Sequence, residues 1–147
     1  MDDWFEKHFQ NERLLTLKDN YVLVEMSYMN APVQLYKILF DLQVAGYTPV
    51  LAHPERYLFY HKNFNEYNKL KKAGCMFQLN LLAVVGYYGS EITKVAGELL
   101  KKGLYDFVGT DVHHNNHIKS FEQKIKIDNV NVSALKGIIN NNQFFKF

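Results

Sequence analysis

This 147-residue chain is predicted to be an α/β protein in which parallel strands alternate with covering helices. Short, nearly all-apolar runs recur along it, helical patterns of about ten residues separate them, and a glycine follows each helix before the next run. Strands buried on both faces read as continuous apolar runs, and burying both faces requires helices packed on the sheet.

The opening segment, residues 2–15, places Trp4, Phe5, His8, Phe9 and Leu15 near helical spacing, which predicts an amphipathic helix. The first strand is expected at 21–26. A helix over 31–45 follows, with Pro32 in its first turn and Val33, Tyr36, Leu39, Phe40 and Val44 as its apolar face. Gly46 ends it and the second strand spans Thr48–Ala52. A helix over 64–73 closes on Gly74 before a third strand at 76–80, and a helix over 90–102 closes on Gly103 before a fourth at 106–110. Glycine suits the left-handed turn that leads a helix back to the sheet. Beyond Asp111, a polar loop, a helix near 117–124, a short strand near 125–127 and a helix over 132–141 complete the expectation. Four or five strands fall short of the seven or eight, in about 250 residues, that a (β/α) barrel needs, so the sheet is either small and open or part of a barrel.

The length fits one domain, and no linker or low-complexity tract divides it. Net charge is +2 with scattered Lys and Arg residues, which argues against a nucleic-acid surface or a polybasic membrane patch. Lys71-Lys72 and Lys101-Lys102 stand near helix ends, where cations favour the negative pole. The single cysteine, Cys75, precludes an internal disulfide and fits a reducing compartment. It leads into strand Met76-Phe77-Gln78-Leu79 rather than a phosphate-cradling loop, so a structural thiol is expected. With no signal peptide and no apolar run near 18 residues, the chain reads as soluble and cytoplasmic.

The strand ends carry the chemistry. Glu25, His53, Asn80 and Asp111 close the four runs, 28, 27 and 31 residues apart, which is one strand–helix unit each time. Parallel α/β folds collect their sites at this rim. Glu25 ends Tyr21-Val-Leu-Val, on the same strand face as Leu23. A carboxylate buried there needs a metal or an ion pair to offset desolvation. His53 is a candidate metal ligand; Pro54 is expected to hold it extended, with Glu55, Arg56 and Tyr57 at the rim. Arg56 offers a planar fork matched to phosphate oxygens. Asp111 and His113, in Gly109-Thr-Asp-Val-His113, can send both side chains to one metal, or Asp111 can cap the next helix. His114 and His117 either support the site or contact a substrate, or are ordinary polar residues. Asn80, whose amide is a poor ligand for transition metals, is read as a positioning or packing residue, and Tyr87 and Tyr88 either pack or stack on a substrate. No Walker loop, dinucleotide fingerprint, Gly-X-Ser-X-Gly elbow or Cys-X-X-Cys pair is present.

Val22-Leu-Val-Glu25-Met, Ala52-His-Pro-Glu-Arg-Tyr57, Leu79-Asn-Leu with Gly86-Tyr-Tyr-Gly89, and Phe107-Val-Gly-Thr-Asp-Val-His-His114 together resemble bacterial tyrosine-protein phosphatases of capsular and exopolysaccharide gene clusters. These belong to the polymerase-and-histidinol-phosphatase (PHP) superfamily. The resemblance implies a partial, distorted TIM-like (β/α) barrel and a metal-dependent phosphomonoesterase. Glu25, His53, Asp111 and His113 would then be metal ligands, and Arg56 the catalytic, phosphate-binding arginine. It also implies divalent cations, manganese first with iron or zinc as alternatives, and a metal-activated water as nucleophile. The implied substrate is a phosphotyrosine protein, the tail of a tyrosine kinase of polysaccharide export. The family's opening His-X-His strand is missing: His8 is the only early histidine. The expectation is therefore a single domain over 1–147 matching the carboxy-terminal two-thirds of that barrel, with uncovered faces open to self-association. The alternatives are a catalytically incompetent remnant that docks on a partner, and a small-molecule phosphoesterase of the same superfamily.

Overall fold

The computed structural model describes Met1, Phe5, Phe9 and residues 12–146. Four strands form one sheet in sequence order: β1 (Tyr21–Val24), β2 (Thr48–Ala52), β3 (Met76–Asn80) and β4 (Phe107–Gly109). All three pairings are parallel, with Tyr21 opposite Thr48, Val50 opposite Met76 and Gln78 opposite Phe107. Helices α1 (Leu35–Val44), α2 (Asn65–Lys72), a short α3 (Leu81–Val84) and α4 (Ser90–Lys101) lie along the crossovers. Helices α5 (Asn115–Ser120) and α6 (Asn129–Asn141) follow β4. Leu51, Phe77 and Leu79 of the sheet are fully buried in one core with Leu39, Leu42, Leu70 and Leu99 of the helices. This is the helix-covered parallel arrangement that the apolar runs predict.

The second and third strands coincide with their expected bounds, and Gly46, Gly74 and Gly103 all take positive φ after a helix. Elsewhere the chain departs from expectation for physical reasons. In the opening segment Phe5 and Phe9 are helical and Phe9 is buried, whereas residues 12–16 are not helical and Leu15 is exposed; Trp4 and His8 lie outside the described residues. Strand β1 stops at Val24 because the Met26 N–H donates to the Tyr57 hydroxyl, 3.0 Å away, rather than to a ladder partner. Helix α1 starts after Pro32, and its phase is rotated. Leu35, Ile38, Leu39 and Leu42 are buried, while Val33, Tyr36, Phe40 and Val44 face water. The strand expected near 125–127 is not formed; the Lys126 N–H meets the Val84 carbonyl as a single tie. Helix α5 ends at Ser120, and α6 begins earlier than expected, at Asn129, because Asp128 caps it by accepting from Asn131 N–H at 2.8 Å.

The sheet is curled. In a flat sheet β1 and β4 would stand about 14 Å apart, yet the rings of Tyr21 and Phe107 lie 6.2 Å from centroid to centroid. Phe144 packs on Tyr21 at 4.8 Å and Phe145 on Phe107 at 4.6 Å. The free edge of β4 is satisfied by a side chain. Asn142 accepts from Val108 N–H at 3.1 Å and donates to Val108 C=O at 2.9 Å, as a neighbouring strand would.

Candidate functional site

At the carboxyl rim, two residues leave the sheet in the left-handed conformation that side chains other than glycine rarely adopt: His53 at φ 38° and Asp111 at φ 49°. His53 is therefore not extended, as its place before Pro54 predicts. Its N–H is drawn to Gln78 C=O of β3 at 2.8 Å, and its carbonyl closes a helical turn onto Arg56 N–H at 2.9 Å. Such conformations cost on the order of 1–3 kcal/mol each and persist where the surroundings over-determine them, as at binding sites.

Glu55 and Tyr57 do not stand at the rim. Both are fully buried, one on each side of Arg56. Glu55 accepts from the Asn80 N–H at 2.9 Å and from the Tyr105 hydroxyl at 2.9 Å, and His61 bonds to its carbonyl at 2.8 Å. Burial pushes its carboxyl up to about 7, against the opposing pull of these hydrogen bonds. The buried carboxylate of this region is thus Glu55, whereas Glu25, for which burial was the argument, has a side chain 52% exposed. With Glu55 and Tyr57 anchored, the turn between them aims Arg56 outward.

Arg56 donates to Asp111 Oδ2 at 2.8 Å. Its guanidinium lies between two aromatic faces, 4.6 Å from the Tyr28 ring centroid and 4.3 Å from that of Tyr88. Asn80 steadies this frame: its amide caps α3 through Leu82 N–H and donates to Tyr88 and to Asp111 Oδ2, at 3.1 and 3.3 Å. The positioning role read for Asn80 matches this geometry, and Asp111 caps no helix, since α5 has no side-chain cap. Tyr88 contributes its ring to the site, while Tyr87 packs edge-on against His117.

The predicted ligands fall into two pairs. Glu25 Oε1 is 3.3 Å from His53 Nε2, which also meets the Tyr28 hydroxyl at 3.3 Å. His113 Nδ1 is 3.5 Å from Asp111 Oδ1 and 2.9 Å from the Asp111 carbonyl. Burial, reinforced by Arg56, lowers the His53 pKa and keeps the imidazole neutral, the form that can ligate. Its Nδ1 is buried without a partner among the described residues. Tyr28 rises well above the ordinary phenol range through burial and its hydrogen bond to Glu25. Among the described residues, no three His, Cys, Asp or Glu side chains are grouped to hold an ion. The donors have the right chemistry for a first-row divalent cation. As placed they form two half-sites divided by Arg56, so the single cluster expected from the sequence is not assembled by these residues alone.

A cavity of about 320 Å³ opens over this rim, lined by Glu25, Tyr28, Arg56, Tyr88, Asp111 and His113 with His114 and His117. The His114 and His117 rings lie 3.7 Å apart, tilted by 47°, and His117 is buried with Nδ1 accepting from His113 N–H at 3.3 Å. His117 therefore supports the Asp111–His113 loop. Tyr28 carries no sequence signal, since it follows the strand end in an irregular loop. Cys75 is buried, and burial raises its thiol to about 12, the inert state expected of a structural cysteine.

The protein is thus of the α/β class, a curled parallel sheet whose carboxyl rim gathers an aromatic-clamped arginine, carboxylates and imidazoles. Residues 2–127 match the model of the CpsB/CapC capsular polysaccharide synthesis family, and the chain belongs to that family. Its relatives include the tyrosine-protein phosphatase YwqE of Bacillus subtilis, 30% identical over 110 residues, covering 74% of this chain and 43% of YwqE. The tyrosine-protein phosphatase CpsB of Streptococcus pneumoniae is 30% identical over 118 residues, 76% of this chain and 48% of CpsB. The putative tyrosine-protein phosphatase CapC of Staphylococcus aureus is 27% identical over 96 residues, 65% of this chain and 38% of CapC. The chain thus spans less than half the length of these relatives. A solved structure, from work on YwqE and CpsB as unique metal-dependent tyrosine phosphatases, superposes with a TM-score of 0.70 at 24% identity. It covers 92% of this chain and 60% of that one, and it shows the shared fold. No helix among the described residues is long and apolar enough to cross a membrane.

Proposed function

We propose that this chain supplies the phosphate-receiving rim of a metal-dependent protein-tyrosine phosphatase that acts in capsular polysaccharide synthesis. The observation that carries the reading is Arg56, fixed by Asp111 and clamped between Tyr28 and Tyr88 at the mouth of the cavity. A guanidinium held in one orientation can meet two phosphoryl oxygens without first losing rotamer freedom. The flanking tyrosine rings offer flat walls to the ring of a phosphotyrosine.

Glu25 with His53, and Asp111 with His113, would each give two ligands to a divalent ion, the remainder coming from beyond the described residues. Manganese, iron and zinc all suit such a donor set. When bound, the ions would supply Lewis acidity and lower the pKa of a water. Arg56 would neutralise charge on the phosphoryl oxygens, and Asn80 would keep Tyr88 and Asp111 in place. On this reading the chain corresponds to the carboxy-terminal part of a PHP-type barrel. It works in the cytoplasm, and its substrate is a phosphotyrosine on a kinase of polysaccharide export.

The test is hydrolysis of p-nitrophenyl phosphate with added manganese, iron or zinc. Metal-dependent turnover that disappears in His53→Ala is the expected result. Turnover equal in both proteins would overturn the reading. Absence of turnover in both would favour a catalytically incompetent remnant that docks on a partner.

A further inference from the structure

The outward side of α1 is apolar. Tyr36, Phe40 and Val44 are 42, 65 and 71% exposed, and Val33, just ahead of the helix, is fully exposed. Positions 33, 36, 40 and 44 fall on one stripe, opposite the buried Leu35, Ile38, Leu39 and Leu42. Helices α2 and α4 do not share this property. The outward side of α2 is Asn65, Asn68, Lys69 and Lys72, and that of α4 is Glu91, Lys94, Glu98 and Lys101. A helix apolar on both sides is built to be covered on both.

The order of side chains along the stripe says what covers it. Reversed, the stripe nearly repeats itself: valine at each end, an aromatic and a charged residue toward the middle from either side. An isologous two-fold contact needs this self-complementarity, because the same patch serves both subunits. Antiparallel pairing about the helix midpoint sets Val33 against Val44 of the second copy and Tyr36 beside its Asp41. Lys37 and Asp41, paired within one copy at 2.7 Å, flank the stripe and can exchange partners across the axis. The exposed portions of these six side chains amount to roughly 600 Å² per copy. A two-fold pair that covered all of it would bury about 1,200 Å², the lower limit of stable interfaces.

We propose that the Val33–Val44 stripe is a homodimer interface in which two copies pack α1 antiparallel across a two-fold axis. The contact leaves the sheet's carboxyl rim open. The loop from Glu25 to Gln34 runs from the cavity directly into it, so dimerisation also braces the segment that carries Glu25 and Tyr28. This assembly is independent of any catalytic activity.

The test is sedimentation equilibrium of the whole chain between 10 and about 100 μM, within the affinity range of interfaces of this size. A mass twice that of the chain is expected, with Phe40→Glu raising the dimer Kd at least about 100-fold while the far-UV circular dichroism stays unchanged. Lys37→Glu and Asp41→Lys singly should each weaken the dimer about tenfold, and the double variant should restore it, because opposite charges again meet across the axis. A monomer at every concentration overturns the proposal. So does a dimer indifferent to Phe40→Glu, which would place the contact elsewhere, or a double variant no better than the singles, which would exclude the antiparallel register.

Discussion

Replacing Arg56 probes the site most directly. The Arg56 side chain is only 18% exposed, and its head group is held by Asp111 at 2.8 Å and by two ring faces within 5 Å. Cation–π contacts of about 0.5–1 kcal/mol each orient the group but leave its outward N–H donors for a ligand. Charge-assisted hydrogen bonds to phosphate are worth about 1.5–3 kcal/mol, so Arg56→Ala should weaken phenyl phosphate binding by roughly 10- to 150-fold. Arg56→Lys keeps the charge and loses the fork. It should recover less than half of that free energy. Isothermal titration calorimetry with phenyl phosphate, without and with manganese, measures both variants. Folding should be little affected, since Asp111 is 31% exposed and can be solvated. Unchanged affinity in Arg56→Ala, or full recovery in Arg56→Lys, would refute the assignment of Arg56 as the phosphate receptor.

Asn142→Ala strips Val108 of both edge hydrogen bonds and leaves two backbone groups of a buried residue unpaired. A loss of about 2–4 kcal/mol and a Tm lower by roughly 6–13 °C should appear in thermal unfolding followed by circular dichroism. Tyr105→Phe removes one of the two donors to the buried Glu55 carboxylate and should cost about 1–3 kcal/mol in urea unfolding, with the m value unchanged. Cys75, with its thiol near 12 when folded and an ordinary value when unfolded, binds its proton more tightly in the native state. Stability should therefore fall as pH rises above about 9, and Cys75→Ser should flatten that slope in urea titrations at pH 8 and 10. The native thiol should also resist iodoacetamide until the chain unfolds.

The strand ends were legible because each closes an apolar run with a residue that such a run would otherwise exclude. Glu25, His53, Asn80 and Asp111 all reach the same rim, three of them against the cavity or its frame. The phase of α1 was not legible. Both 35–38–39–42 and 33–36–40–44 are apolar, so periodicity identifies a helix without choosing its inner side. Glu55 was misplaced for a different reason. A charged residue after proline reads as exposed, and the Tyr105 hydroxyl that makes its burial tolerable lies fifty positions downstream. His53 took a turn conformation against the preference of a residue before proline because β3 holds its N–H, a constraint visible only when the strands are side by side. The division of the ligands into pairs likewise depends on where Arg56 points, which no spacing encodes.

The aromatic contact between Tyr21 and the Phe144–Phe145 turn, together with the Lys18 ammonium on the Lys146 carbonyl, works as a clasp between distant parts of the polypeptide. Closing it joins positions 128 apart, a loop that forms slowly because so much chain entropy must be lost first. On the ribosome, β1 to β4 can assemble while that turn is still in the exit tunnel, but they cannot curl shut. The Asn142 bonds and the clasp then arrive together, so the nascent sheet keeps a bare border that other strands, or a chaperone, can reach until residues 142–146 have emerged.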